Sequence, residues 1–144
     1  TETFKHGKGI LGHFDFEDTL ELVEHSDHYP FILTTSRDLV HYNSGTMTRR
    51  THNVEIMGED ALLINTEDAR SRGIEEGDRV RLKSARGEVE LSASVSSTIK
   101  PGILFTTFHF PEKNVNHLTS DVADHQTLCP EYKVVATDIE RVGA

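Results

Sequence analysis

Tyr29-Pro30-Phe31-Ile32-Leu33-Thr34-Thr35-Ser36-Arg37-Asp38-Leu39-Val40-His41-Tyr42-Asn43-Ser44-Gly45-Thr46-Met47-Thr48-Arg49-Arg50 begins apolar and ends dense in hydroxyls and cations. The run Tyr29–Leu33 reads as a buried strand bounded at its start by a proline. Past Leu33 the chain opens into a loop with two arginine clusters and a histidine. Hydroxyls, backbone N–H groups and guanidinium groups at a strand end are what a phosphate needs. They give short charge-assisted hydrogen bonds, and arginine binds two oxygens at once. The same composition suits a polar surface loop whose Arg37, Arg49 and Arg50 only solvate the chain, and composition alone leaves both readings open.

Upstream, residues 1–28 are charged and histidine-rich, with Gly7, Gly9 and Gly12 interrupting any helix. His6-Gly7-Lys8-Gly9 before Ile10-Leu11 predicts a turn into a short strand, and the alternation His13-Phe14-Asp15-Phe16 predicts an edge strand. His6, His13, His25 and His28 fit no regular ligand spacing and read as solvated surface side chains.

Downstream, Met57-Gly58-Glu59-Asp60 reads as a turn and Ala61–Ile64 as a short buried strand. Residues 65–73 predict a two-turn helix: Asn65 or Thr66 caps it, acids fill the first turn, arginines the last, and Gly73 stops it. Ile74–Asp78 is a tight turn. Val80 and Leu82 then alternate with Arg79, Arg81 and Lys83, Ser84–Gly87 turns the chain, and Val89, Leu91, Ala93 and Val95 return on the same pattern. The outward arginines of this hairpin read as solvation and edge protection. Lys100-Pro101-Gly102 signals a type II turn, with glycine where a positive φ is required. It leads into Ile103–Phe108, the most buried strand of this half. Polar sequence follows from His109 to Thr127, and Val134–Thr137 is the last strand. Strand count and spacing license a small closed barrel with a few helices.

The 144 residues fit one domain with a real core. A formal net charge of -9 argues against a general nucleic-acid binder. No apolar run reaches the length of a membrane span, so no membrane insertion is expected. One cysteine, Cys129, rules out an internal disulfide, and no Cys/His set can hold an iron–sulfur cluster or close around a metal. The first residue is Thr1, and a fragment or processed subunit is the expectation.

The order T-T-S-R-x-x-x-H-Y-x-S-G-T-M-T-R-R resembles the signature loop of the molybdopterin dinucleotide-binding domain. This is the C-terminal domain of the large subunit in molybdenum and tungsten oxidoreductases such as formate dehydrogenases and periplasmic nitrate reductases. Arg37, His41, Ser44-Gly45-Thr46-Met47-Thr48 and Arg49-Arg50 carry the match. Asn116-His117-Leu118-Thr119 and Pro130-Glu131-Tyr132-Lys133 extend it. Asn43 departs from it, standing where many relatives have histidine or serine. Gly73-Ile74 with Gly77-Asp78 and Val80, then the hairpin, then Ile99 and Pro101–Phe105, resembles the double-psi β-barrel of aspartate-decarboxylase-like domains. The resemblance covers roughly residues 29–142, which makes 1–28 a lead-in segment and 29–144 the domain: mainly β with short helices.

That resemblance implies a share in binding bis(molybdopterin guanine dinucleotide), with molybdenum or tungsten held by the pterin dithiolenes. Arg37 would neutralise pyrophosphate charge, and Thr35, Ser36, Ser44 and Thr46 would donate hydrogen bonds. Tyr42 belongs to the same loop, and His41 would bond to the pterin or orient the loop. His109 would sit beside the pterin, while Asn116, Tyr132 and Lys133 would close the opposite side. No catalytic residue and no metal ligand is expected; in such enzymes the ligand cysteine lies in an earlier domain, which excludes Cys129 and makes it a small buried residue. An iron–sulfur cluster is expected only in other domains of the parent chain. The implied partners are those remaining domains, with electron-transfer subunits beyond them, and the domain is inactive alone. The expected compartment is the cytoplasm, or the periplasm if the parent's N-terminus carries an export signal.

Three other readings carry weight. A separate small subunit, as in formylmethanofuran dehydrogenase complexes, would bind the same cofactor. A pyruvoyl-dependent decarboxylase on the same barrel would start by cleaving a Gly–Ser bond, and the chain has no Gly-Ser dipeptide. A regulatory or interaction barrel would bind no small molecule.

Overall fold

The computed structural model describes residues 7–9, 11–13, 15–16, 18–124 and 127–143. Six strands form a closed barrel: β1 (Phe31–Thr35), β2 (Ala61–Asn65), β3 (Arg79–Lys83), β4 (Glu88–Ser96), β5 (Ile103–Thr106) and β6 (Val135–Arg141). They pair in the order β1-β5-β2-β4-β3-β6. β1 with β5 and β2 with β4 are parallel, and the other four pairings are antiparallel. Exchanging the first three strands for the last three leaves this pattern unchanged, because each half lends its first strand to the other half's second. That interlocking is the double-psi barrel expected from the sequence.

The pairing fixes where the loops lie. β1, β3 and β5 all run toward one end of the barrel, and β2, β4 and β6 run away from it. The connections 36–60, 84–87 and 107–134 therefore gather at that end, and 66–78 and 97–102 at the other. Inside, Leu33, Leu62, Ile64, Val80, Leu82, Leu91, Leu104 and Val135 are fully buried. Each contributes about 1.5–3 kcal/mol relative to exposure, enough to hold the frame rigid beneath its loops.

Local signals account for several elements. Helix α3 (Thr66–Ser71) is capped by Asn65, whose side chain accepts from the Glu67 N–H at 2.7 Å, and Gly73 ends it at φ +63°. The type II turn is in place: the Ile103 N–H donates to the Lys100 carbonyl at 3.2 Å, with Gly102 at φ +79°.

Other expectations are corrected. His13, Asp15 and Phe16 lie in no strand, and His6, Ile10 and Phe14 lie outside the described residues. The lead-in does contain a helix, α1 (Leu20–His25), capped by Thr19 and packed on β6. β1 continues through Thr35, because its parallel partner β5 reaches Thr106. β6 runs on to Arg141, since it leaves β1 after Thr137 and takes up β3 from Asp138. The hairpin arginines protect no edge, because a closed barrel has none. They form an ion-paired wall instead: Arg81 lies 2.9 Å from Glu90 and 3.2 Å from Glu140, and Lys83 lies 2.8 Å from Glu140. Cys129 is exposed, not buried. It sits on an arm where the Asp124 N–H donates to the Cys129 carbonyl at 3.0 Å, away from the barrel core. Among the described residues no helix is long and apolar enough to cross a membrane.

Candidate functional site

The long connections at the first end frame a groove. It starts between Thr35, Phe108, Asn116 and Tyr132. Phe108 and Asn116 carry it on to Asn43, Ser44, Phe110 and Asn114. Phe110 then leads to Gly45, Thr46, Arg49, Arg50, Val54 and Gly58. Segments far apart in sequence are tied across it. Thr35 Oγ1 donates to the Tyr132 carbonyl at 3.0 Å, and Lys133 Nζ donates to the Thr35 carbonyl. The loop that begins with Arg37 and the segment that ends with Lys133 thus share one groove.

The side chains expected to bind a ligand fall into three groups. Ser44, Thr46, Asn116 and Tyr132 are exposed and line the groove. Thr35 lines it too, although its hydroxyl is spent on the Tyr132 carbonyl. Arg37, Tyr42 and Lys133 are exposed, and Ser36 is half-buried with its N–H donating to the Thr106 carbonyl at 3.0 Å. Lys133 keeps two ammonium protons beyond the one it gives Thr35.

The two histidines turn inward. His41 is 4% exposed, with Nδ1 3.0 Å from Thr48 Oγ1 and Nε2 2.8 Å from the Met57 carbonyl. A carbonyl only accepts, so Nε2 donates to Met57, while Nδ1 shares a hydrogen bond with the Thr48 hydroxyl. His109 is fully buried, and the Asp38 N–H donates to its Nε2 at 2.9 Å while Nδ1 meets the Asn43 carbonyl. Nδ1 therefore donates, and this tautomer pins the loop at two points. Asn43 itself sits at φ +48°, a left-handed conformation that asparagine tolerates better than most residues. Gly45 is at φ +68°, and a Cβ there would lie 2.7 Å from the His109 carbonyl, so only glycine fits.

One residue had no signal in the sequence. Asp60, read only as part of a turn, is fully buried. Its carboxylate accepts from the His109 N–H at 3.1 Å, the Phe110 N–H at 2.9 Å and the Thr107 hydroxyl. It orients the 107–110 backbone, and through His109 the 38–43 loop.

The cations near the groove differ in commitment. Arg49 lies 2.5 Å from Glu112 and stacks over Phe110 at 4.7 Å. The Arg49 hydrogen bond, then Glu112's own backbone N–H, hold the Glu112 carboxyl below the ordinary glutamate range. Arg37 and Arg50 are exposed and have no ion-pair partner among the described residues. Among the described residues no cluster of three or more histidine, cysteine or acidic side chains is placed to hold a metal.

Fold and groove together define a ligand-binding barrel whose free donors suit an extended anion. A family model described as the molydopterin dinucleotide binding domain matches residues 31–136. The chain is 44% identical over 138 residues to the F420-dependent formate dehydrogenase subunit alpha of Methanocaldococcus jannaschii, covering 95% of this chain and 20% of that protein. It is 38% identical to F420-dependent formate dehydrogenase 2 subunit alpha of Methanococcus maripaludis, again over 95% and 20%. Against the periplasmic nitrate reductase of Desulfovibrio desulfuricans, identity is 36% over 78% of this chain and 15% of that one. A solved structure of acetylene hydratase from Pelobacter acetylenicus superposes at a TM-score of 0.71 with 15% identity, over 90% of this chain and 21% of that one, which shows a shared fold. The chain belongs to the molybdopterin dinucleotide-binding domain family, whose ligand is a molybdopterin-type cofactor. It spans about a fifth of the length of the formate dehydrogenase subunits it matches.

Proposed function

We propose that this domain binds molybdopterin guanine dinucleotide within the large subunit of a formate dehydrogenase-like molybdenum or tungsten oxidoreductase. The observation that carries the reading is the convergence of two long connections, 36–60 and 107–134, on one groove rich in donors that are unpaired among the described residues. The donor set fits the group. Arg50 in the groove and Arg37, exposed at the start of the same connection, would meet phosphate oxygens, Ser44 and Thr46 offer hydroxyls, and the Asn116 amide offers donors and an acceptor to a pterin rim. When bound, the metal–pterin group supplies the redox chemistry. The chain's own residues bind and orient it: Tyr132 and Lys133 close one wall, while His41 and His109 hold the loop in shape from inside.

The groove is open, so the remaining domains of a larger subunit complete the pocket and supply the substrate contacts and any iron–sulfur cluster. The domain is inactive alone. The likeness to formate dehydrogenase alpha subunits over nearly the whole chain favours formate as the parent's substrate. The same reading places the parent in the cytoplasm unless an export signal precedes this part of the gene.

Titration of the chain with GDP tests the proposal. Wild type should bind, and Arg37→Ala should weaken binding roughly tenfold, the worth of a charge-assisted phosphate contact. No binding of GDP or of the pterin dinucleotide, or binding indifferent to Arg37, would overturn it.

A further inference from the structure

Glu21 is 1% exposed, yet it sits on α1, a helix that takes no part in closing the barrel. Its Oε1 accepts from the Ala136 N–H at 3.0 Å and from Arg86 Nη1 at 2.7 Å, and Oε2 lies 2.6 Å from the same nitrogen. The Ala136 bond fills a gap that the topology creates. β6 pairs with β1 through residues 135–137 and with β3 only from Asp138 onward, while β3 ends at Lys83. Ala136 thus has no strand partner on its outer side, and a buried amide without an acceptor is costly. The carboxylate of Glu21 stands in for the missing strand.

Through Glu21 and Thr19, residues 19–21 are linked to both walls of the groove. Arg86 belongs to the 84–87 turn, which leans on the wall that carries Asn116. Ser84 Oγ donates to the Leu118 carbonyl at 2.9 Å, and a Cβ on Gly87 would lie 3.1 Å from the His117 carbonyl. On the other wall, Thr19 Oγ1 donates to Glu131 Oε2 at 2.6 Å, beside Tyr132. A short chain of contacts therefore leads from each wall to residues 19–21.

We infer that Glu21, assisted by Thr19, sets the separation of the Asn116 and Tyr132 walls. It is a positioning residue for the groove, supplied by a segment outside residues 31–136, the part that the family model matches. The identity of the ligand rests on the cofactor reading above; the mechanical link between the walls does not. A merely local role for the Glu21–Arg86 pair would anchor α1 and leave the Asn116 wall untouched.

Amide hydrogen exchange on the full chain, paired with GDP titration, separates the two. Glu21→Ala should raise exchange about tenfold at Ala136, as expected for one lost hydrogen bond, and also at His117 and Leu118 across the groove. GDP affinity should fall several-fold. Glu21→Gln keeps an acceptor for Ala136 but loses the charge that holds Arg86. It should restore protection at Ala136 while His117 and Leu118 stay loosened. If Glu21→Ala does not fold, Glu21→Gln and the pair Thr19→Val and Thr19→Ser decide, serine restoring what valine loses at the Tyr132 wall. Faster exchange confined to α1 and Ala136, with the 115–119 segment unchanged, would overturn the inference. So would unchanged GDP affinity in a variant whose wild type binds. A wild type that does not bind GDP counts against the cofactor reading, and the exchange pattern still decides this one.

Discussion

The two ends of the barrel are related by the exchange of its halves, and they could hardly be finished more differently. The connection 36–60 at the groove end corresponds to 97–102 at the other, and 107–134 corresponds to 66–78. At the short end the side chains are spent on nearby backbone. Asn65 Nδ2 donates to the Ile99 carbonyl at 2.6 Å, Asp68 accepts from the Gly102 N–H at 2.7 Å, and Glu76 accepts from the Val95 N–H at 2.6 Å. Among the described residues of these two connections, Arg70 and Lys100 are the cations without an ion-pair partner. At the groove end the loops have length to spare. Their buried members, Asp60, His41 and His109, do the holding, while the side chains of Ser44, Thr46, Arg37, Arg50 and Asn116 have no polar partner among the described residues. One frame thus carries a short-looped end and a long-looped end, and at the long-looped end connection length leaves polar side chains over to face a ligand.

Substitutions can break that contrast. The largest effect is expected at Asp60. Asp60→Ala strands two backbone N–H groups and a buried hydroxyl, and should cost roughly 3 kcal/mol by chemical denaturation. Asp68→Ala at the short-looped end loses one principal partner and should cost about 1 kcal/mol. Equal losses would mean that the groove end has no special internal support. Next, Gly45→Ala should cost about 2 kcal/mol, from positive φ and the close His109 carbonyl together. A thermal melt indistinguishable from wild type would show that the 43–49 turn can open without penalty.

Arg50→Ala should weaken GDP binding several-fold without moving stability by more than about 0.5 kcal/mol. Arg79→Ala on the ion-paired wall should leave GDP binding unchanged, and a matching loss there would point to bulk charge as the source of affinity. The smallest effect is electrostatic. Glu90, Glu112 and Glu140 are held below the ordinary glutamate range, chiefly by Arg81, Arg49 and Lys83 respectively. A lowered folded-state pKa gives stability that is fully present above the unfolded value of about 4.3 and is lost as pH falls through the folded values. The urea midpoint should therefore drop modestly below about pH 4, and more weakly in about 1 M salt, where exposed pairs are screened. No acid sensitivity in low salt would show these pairs to be idle.

How much of this was legible depended on whether a residue's neighbours were near in sequence. Asn65 and Gly73 bound α3, Pro101-Gly102 turns the chain, and 84–87 closes the hairpin, because each acts within a few positions. The signature loop and the 130–133 segment were legible as motifs, and the structure brings them into one groove. Asp60 was not, since its three donors lie some fifty residues downstream. Helix α1 was hidden for a different reason. Leu20 and Val23 are 56% and 68% exposed, while Glu21 is buried. A reading by hydrophobic period would have turned this helix inside out. Cys129 erred in the same direction: a small thiol is usually interior, but here it rides on an arm outside the barrel.

Because each half of the chain lends its opening strand to the middle strand of the other, neither half can complete a sheet by itself. Assembly must wait for contacts between distant segments, which places its rate in the slow, millisecond-to-second range of topologically tangled β proteins. Cutting the backbone within the 84–87 hairpin should yield two pieces that are each shapeless, and that regain the fold only when mixed.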